Sequence, residues 1–203
     1  MEKDIIKVIH HIEQIEKSWE YSYEFLDELG KKVSKKTHLR SVSPEIGSFL
    51  SFLILVTKSK KILELGCSAG YSTLWMALSA MHLGGKIYTT EIMESKIKLA
   101  ESNFIKAKVE GIVTLLKGDI LDILRDWNEG DIDFIFIDAN KEDYLKYYES
   151  VLPFLKSGGI IVADNIFSHR DELGNFCKKI SMDNRVNSCP INVDSGLLLI
   201  YKK

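Results

Sequence analysis

Residues 61–73 read KILELGCSAGYST: an apolar run, a turn carrying Gly66 and Gly70, then Tyr71-Ser72-Thr73. The run has the length of a buried strand, and the two glycines permit a tight turn and a close backbone approach. The residues after Gly70 are suited to open a helix. Strand, glycine turn and helix make the first part of a crossover unit. Further runs repeat the theme downstream at Lys86–Thr90, Ile112–Leu116, Ile132–Ile137 and Gly159–Ala163. Helical patterns separate them, for example Ile97, Ala100, Phe104 and Ala107, or Tyr144, Tyr148, Val151 and Leu155. This alternation predicts right-handed crossovers and a mostly parallel sheet covered by helices on both faces. One more helix and two strands follow, the last being Leu197–Tyr201.

Upstream, Ser43-Pro44-Glu45 reads as a helix start, with Ser at the cap and Pro in the first turn. That helix continues through Ile46, Phe49, Leu50 and Leu53. Ile5, Ile9, Ile12 and Trp19 recur at helical steps, and a second helical stretch is expected around Phe25, Leu26 and Leu29, stopped by Gly30. The chain therefore divides into an N-terminal helical extension, 1–42, and a core, 43–203, within one domain of 203 residues.

A net charge of −2 excludes a global basic field for nucleic acid. Lys31, Lys32, Lys35, Lys36 and Arg40, with His38 among them, form a local exception. They are either a solvated helix end and loop or a site for substrate phosphates. The opening MEKDIIKVIHHIEQIE mixes charge with apolar residues, so it is neither a signal peptide nor a membrane span. Cys67, Cys177 and Cys189 form no CxxC pair, which argues against a structural zinc and fits a reducing, cytoplasmic setting.

In open parallel sheets, ligands bind beyond the carboxyl ends of the strands, where strand order reverses. The turn after the first strand lacks the GxGxxG pattern, so a pyrophosphate cofactor is disfavoured. Ser72 falls near a helix start, where free N–H groups favour a carboxylate. Glu91 ends the second strand and could accept from both hydroxyls of a ribose. Gly118-Asp119-Ile120, after the third, could border an adenine. A nucleoside with a carboxylate tail and no phosphate fits this set, and S-adenosylmethionine is such a molecule. The plain alternatives are a ligand-free glycine turn and a helix-capping acid.

Asp138 ends the fourth strand, and Asp164 and Asn165 end the fifth. Ends of neighbouring strands lie about 5 Å apart, so two carboxylates and an amide oxygen could converge. Hard oxygen ligands favour Mg²⁺, or another divalent cation such as Mn²⁺ or Ca²⁺, over zinc. Lys141, one helical turn after Asp138, could face the same point and serve as a base, since a nearby cation disfavours its protonated form. A helix cap, an Asp-Asn turn and a surface lysine are the structural alternatives.

These residues carry a resemblance. The chain resembles the class I methyltransferases, and among them the metal-dependent catechol and caffeoyl-CoA O-methyltransferases. The similarity runs through SPEIGSFLSFL (43–53), ILELGCSAGYSTL (62–74), Glu91, FIFIDANKEDY (134–144), GGIIVADNIF (158–167) and DSGLLLIYKK (194–203). It implies a Rossmann-like, seven-stranded sheet with an antiparallel last strand, and a homodimer. It implies metal ligands at Asp138, Asp164 and Asn165, and a catalytic base at Lys141. The cofactor is expected against Val42, Glu64, Gly66, Ser68, Gly70 and Tyr71. Ser72 is expected at its methionine carboxylate, Glu91 at its ribose, and Ile92, Asp119, Ile120 and Asp138 around the remainder.

Two departures stand out. The segment from Phe167 to Pro190 is shorter than in most relatives, which points to an open acceptor pocket; His169, after the Asp-Asn pair, either touches the acceptor or is a solvated loop histidine. Ser188-Cys189-Pro190 also replaces the stretch where the catechol enzymes carry an additional acid. The expected acceptor is a small molecule with vicinal hydroxyls. Alternatives are 5-hydroxyuridine in tRNA, with the 31–40 segment holding phosphates, or a coenzyme A thioester gripped by the same segment. A catalytically dead binding module and a dehydrogenase are more remote.

Overall fold

The structure, a computed structural model, describes residues 1–18, 22–26, 32–36 and 38–203, with side chains for 1–17 and 38–203. Strand β3 (Lys61–Leu65) is central. It pairs in parallel with β4 (Lys86–Glu91) on one side and β6 (Ile132–Ile137) on the other. With β5 (Val113–Lys117), β7 (Leu155–Ala163), β8 (Val186–Ile191) and β9 (Leu197–Lys202), the order is β5-β4-β3-β6-β7-β9-β8. Only β9 runs against the others. This is the seven-stranded sheet that the resemblance implied. The chain steps outward from β3 in one direction and then, from β6, in the other. Its topological switch point therefore lies at the carboxyl end of β3, beside the glycine turn.

Alternation along β3 sends Ile62 and Glu64 to one face and Leu63 and Leu65 to the other. On the first face pack α1 (Glu2–Ser18), α2 (Pro44–Thr57), α3 (Tyr71–Leu83) and α4 (Glu94–Ala107). On the second lie α5 (Ile120–Arg125), α6 (Tyr144–Val151) and α7 (Arg170–Ser181), around the fully buried Tyr144 and Tyr148. Ser43 caps α2 as expected, its Oγ accepting from Ile46 N at 3.3 Å, with Pro44 in the first turn. In α1, Ile5, Ile9 and Ile12 form the buried stripe.

The second N-terminal helix is not there. Residues Ser22–Leu26 (β1) and Lys32–Lys36 (β2) form an antiparallel pair, with Phe25 opposite Val33. Tyr23 and Phe25 alternate at strand spacing, and aromatic and β-branched residues favour the extended backbone. Three apolar residues within five positions are too short a pattern to tell helix from strand. Trp19, Leu29, the Gly30 stop and Lys31 lie outside the described residues. Strand β7 starts at Leu155, earlier than the glycine pair marked it. No helix among the described residues is long and apolar enough to cross a membrane.

Candidate active site

Backbone hydrogen bonds lace the strand ends into one rim. Cys67 N donates to Thr90 O at 2.8 Å, Asp138 N to Leu65 O at 2.9 Å, Asp164 N to Ile137 O at 3.0 Å and Gly118 N to Glu91 O at 2.9 Å. Every segment singled out in the core sequence after residue 60 for ligand binding thus meets at one edge. Gly66, at φ +100°, is required there: a Cβ would lie 2.1 Å from the Asp138 carbonyl oxygen. Gly70, at φ +86°, caps α3 and would strike Phe104 if it carried a Cβ.

Glu91 is nearly buried and already well bonded. Its Oε1 accepts from Ile92 N at 3.0 Å and Met93 N at 2.9 Å, and its Oε2 from Ser68 N at 2.8 Å. A carboxylate oxygen offers about two acceptor positions, so Oε2 keeps one for a further donor. Ile92 is largely exposed on the solvent side of the rim. Asp119 caps α5, accepting from Leu121 N at 2.8 Å, and Ile120 opens that helix half-buried. Val42 is buried in the segment entering α2, and beside it Leu39 O accepts from Ser68 Oγ at 2.5 Å. The Tyr71 hydroxyl is taken by Glu13 of α1 at 2.7 Å.

Glu64 is fully buried. Ser72 Oγ donates to its Oε1 at 2.5 Å, Thr89 Oγ1 donates to its Oε2 at 2.5 Å, and Thr73 Oγ1 also donates to Oε2. Burial pushes the Glu64 carboxyl up to about 7 in spite of these donors. The sequence reading passed over Thr73 and Thr89. A signal was present: Thr89 is the register partner of Glu64, so two polar residues lie opposite one another on neighbouring buried strands.

On the other side of β3, Asp138 and Lys141 form an ion pair at 2.7 Å, and Lys141 Nζ also reaches Tyr144 Oη at 3.0 Å. Asp164 ends the neighbouring strand, one residue beyond the Ile137–Ala163 pair. Its Oδ1 accepts from Ser195 Oγ at 2.5 Å and Asn165 N at 2.6 Å. Burial, and then the negative charge of Asp138, push the Asp164 carboxyl up to about 6. Asn165 sits at φ +69°, a left-handed conformation that Asn tolerates better than most residues. Ser195, in the turn before β9, was missed at the sequence level. It lies in the Asp-x-Gly stretch of that turn, whose backbone also accepts from Phe167 N and Ser168 N at 3.0 Å each.

Two carboxylates that repel one another beside an amide side chain suit a hard divalent cation. Among the described residues no group of three or more His, Cys, Asp and Glu stands together. Asn165, next in sequence to Asp164, is the residue that could add an amide oxygen to this pair. A shallow depression of about 290 Å³ lined by Phe167–Glu172 adjoins this pair in sequence, with half-buried His169 in its wall. Ser188-Cys189-Pro190 runs along the edge strand β8, paired to β9.

A model of the O-methyltransferase family matches residues 15–203. A catechol O-methyltransferase of Niastella koreensis is 40% identical over 129 residues, covering 62% of this chain and 58% of that protein. Caffeoyl-CoA O-methyltransferase 1 of Zea mays is 32% identical over 185 residues, 80% of this chain and 71% of that protein. The solved O-methyltransferase of Bacillus cereus in complex with SAH shares 26% identity at a TM-score of 0.80, over 97% of this chain and 91% of that one. A strand-end rim of this kind, carried by a sequence that matches over almost its whole length, decides the relationship: the chain belongs to the O-methyltransferase family.

Proposed function

We propose that this protein is an S-adenosylmethionine-dependent and divalent-metal-dependent O-methyltransferase acting on one of two adjacent hydroxyls of a catechol-like small molecule. The observation that carries this reading is that Asp138, Lys141 and Asp164, with Asn165 next in sequence, follow the ends of β6 and β7, beside the glycine turn that ends β3 and across β3 from Glu91. The whole chain acts as one catalytic domain, 43–203 its core, in a cytoplasmic homodimer.

Asp138, Asp164 and Asn165 are the residues that would hold Mg²⁺ or a similar ion. When bound, such a cation supplies a Lewis acid that favours the oxyanion of an acceptor hydroxyl. A phenol has a pKa near 10 and is a poor nucleophile at neutral pH. Lys141 takes the proton from that hydroxyl. In this structure Lys141 is paired with Asp138. A cation held by Asp138 would compete with Lys141 for that carboxylate, leaving the Lys141 amine to face the acceptor hydroxyl. Tyr144, itself anchored to Ile137 O at 3.2 Å, keeps Lys141 pointed at the rim. Glu91 accepts from the ribose, and the N–H groups at the start of α3 face the methionine carboxylate. The rigid rim thereby aligns acceptor oxygen, methyl carbon and sulfur for in-line displacement, a positioning effect.

Calorimetric titration with Mn²⁺ tests the ligand assignment. Wild type should bind one ion at this site, and Asp164→Ala should lose it together with metal-dependent turnover. If Asp164→Ala retains both, the assignment is wrong. Turnover on 5-hydroxyuridine tRNA but on no catechol would replace the small-molecule acceptor with RNA.

A further inference from the structure

Three hydroxyls surround the Glu64 carboxyl, and their protons can be counted. An ionised carboxylate only accepts, so Ser72, Thr73 and Thr89 must all turn their protons inward to it. A hydroxyl has one proton to give. While Ser72 donates to Glu64 it cannot also donate to an anion at the start of α3.

The three hydroxyls are not equivalent. Thr73 and Thr89 share Oε2 and are fully buried, whereas Ser72 alone serves Oε1 and is slightly exposed. Ser72 is also the second residue of α3, whose cap, Gly70, supplies no side chain. A proton placed on Oε1 would reverse one hydrogen bond. Glu64 would donate to Ser72 Oγ, and the Ser72 proton would be free to turn toward the helix start.

We propose that Glu64 is a positioning residue for the cofactor's methionine carboxylate: it takes up a proton when the cofactor binds, and the Ser72 hydroxyl, released from Glu64, donates to that carboxylate. This rests on the S-adenosylmethionine reading above and adds to it a linkage between binding and protonation. Other titratable and charged groups acting on the cluster favour the protonated state. Asp138 at the end of β6 adds negative charge, and Glu91 at the end of β4 does so for the neighbouring Cys67. The Cys67 thiol, beside Thr73 at 3.7 Å, is held far above its ordinary range, so it stays neutral. Thr90 from β4 reaches Glu64 only at its backbone oxygen, at 3.3 Å, and accepts from Gly66 N at 3.2 Å. The unliganded carboxyl, at about 7, is poised for this exchange at neutral pH.

The test is calorimetric titration of S-adenosylhomocysteine into the full chain at about pH 8, in buffers of different ionisation heat, for wild type and Glu64→Gln. The ligand's own ammonium contributes equally to both proteins, so their difference reports Glu64. A carboxamide has a donor and an acceptor and stands in for the protonated acid. Wild type should take up roughly half to one proton more than Glu64→Gln. Its affinity should fall by up to about tenfold per pH unit above neutrality relative to the variant. In a second variant, Ser72→Ala, the extra uptake should disappear because no hydroxyl is left to release. Equal proton uptake in wild type and Glu64→Gln, or undiminished uptake in Ser72→Ala, overturns the proposal while leaving the cofactor reading intact. No binding of S-adenosylhomocysteine by wild type at any pH overturns both.

Discussion

Replacing Gly66 by Ala tests the central crossing of the fold. The new Cβ would meet the Asp138 carbonyl oxygen at 2.1 Å and its carbon at 2.9 Å, and both are backbone atoms that cannot rotate aside. The φ of +100° adds a conformational cost of about 1–2 kcal/mol. Overpacking against a fixed neighbour costs about 1–3 kcal/mol. Together these give about 2–5 kcal/mol, or a melting temperature lower by roughly 4–20 °C for a chain of this length. Relief of the clash must push the Asp138 backbone away from β3, so Mn²⁺ affinity should fall with stability. Two other glycines separate the terms. Gly84, at φ +65° with nothing within 4 Å of a Cβ, should lose only about 1–2 kcal/mol as alanine. Gly111, with neither constraint, should be neutral or gain about 0.4–1 kcal/mol. Thermal melts of the three variants decide the matter. A Gly66→Ala protein as stable as Gly84→Ala would show that the β3–β6 approach is not as close as described.

Other outcomes follow from the same geometry. Lys141→Ala should lower kcat by about 10²–10⁴ while leaving S-adenosylhomocysteine affinity unchanged; an unchanged kcat would remove Lys141 as the base. Ser195→Ala takes away the side-chain donor to Asp164 and should weaken Mn²⁺ binding by about 10–100-fold without unfolding the chain; an unchanged Mn²⁺ affinity would deny Ser195 that role. Glu64 sets a pH dependence of stability. Its folded value of about 7 lies above the ordinary 4.5, so its contribution is fully present below 4.5 and is lost as pH rises through 7. The separation is worth about 3 kcal/mol. Urea melts should therefore show the stability difference moving in favour of Glu64→Gln by about that amount between about pH 4 and pH 8, and a constant difference would contradict a protonated Glu64.

Much of this could be read from the sequence because strand ends advertise themselves. Asp138 and the Asp164-Asn165 pair each stop an apolar run, and in a parallel sheet such stops fall on one edge whatever the loop lengths between them. The glycine turn was readable for the same reason, since only glycine fits where β3 passes the Asp138 backbone. The β1–β2 pair was not readable, because Phe25, Leu26 and Leu29 offer too few positions to fix a period. Ser195 was hidden for a different reason: its importance depends on β9 inserting beside β7, a pairing between segments more than thirty residues apart that no local pattern encodes. The Glu64 cluster was half visible. The acid lies in the glycine-turn segment, but its three hydroxyl partners come from α3 and β4 and are joined only by strand register.

The most direct test of the proposed reaction is production of S-adenosylhomocysteine from S-adenosylmethionine and a catechol acceptor such as caffeate, with Mg²⁺ and with EDTA. Turnover should require both the acceptor and the metal, and the product should carry one new methyl group on a ring oxygen. Turnover undiminished by EDTA, or none with any vicinal diol under conditions where the protein binds the cofactor, would contradict the proposed reaction.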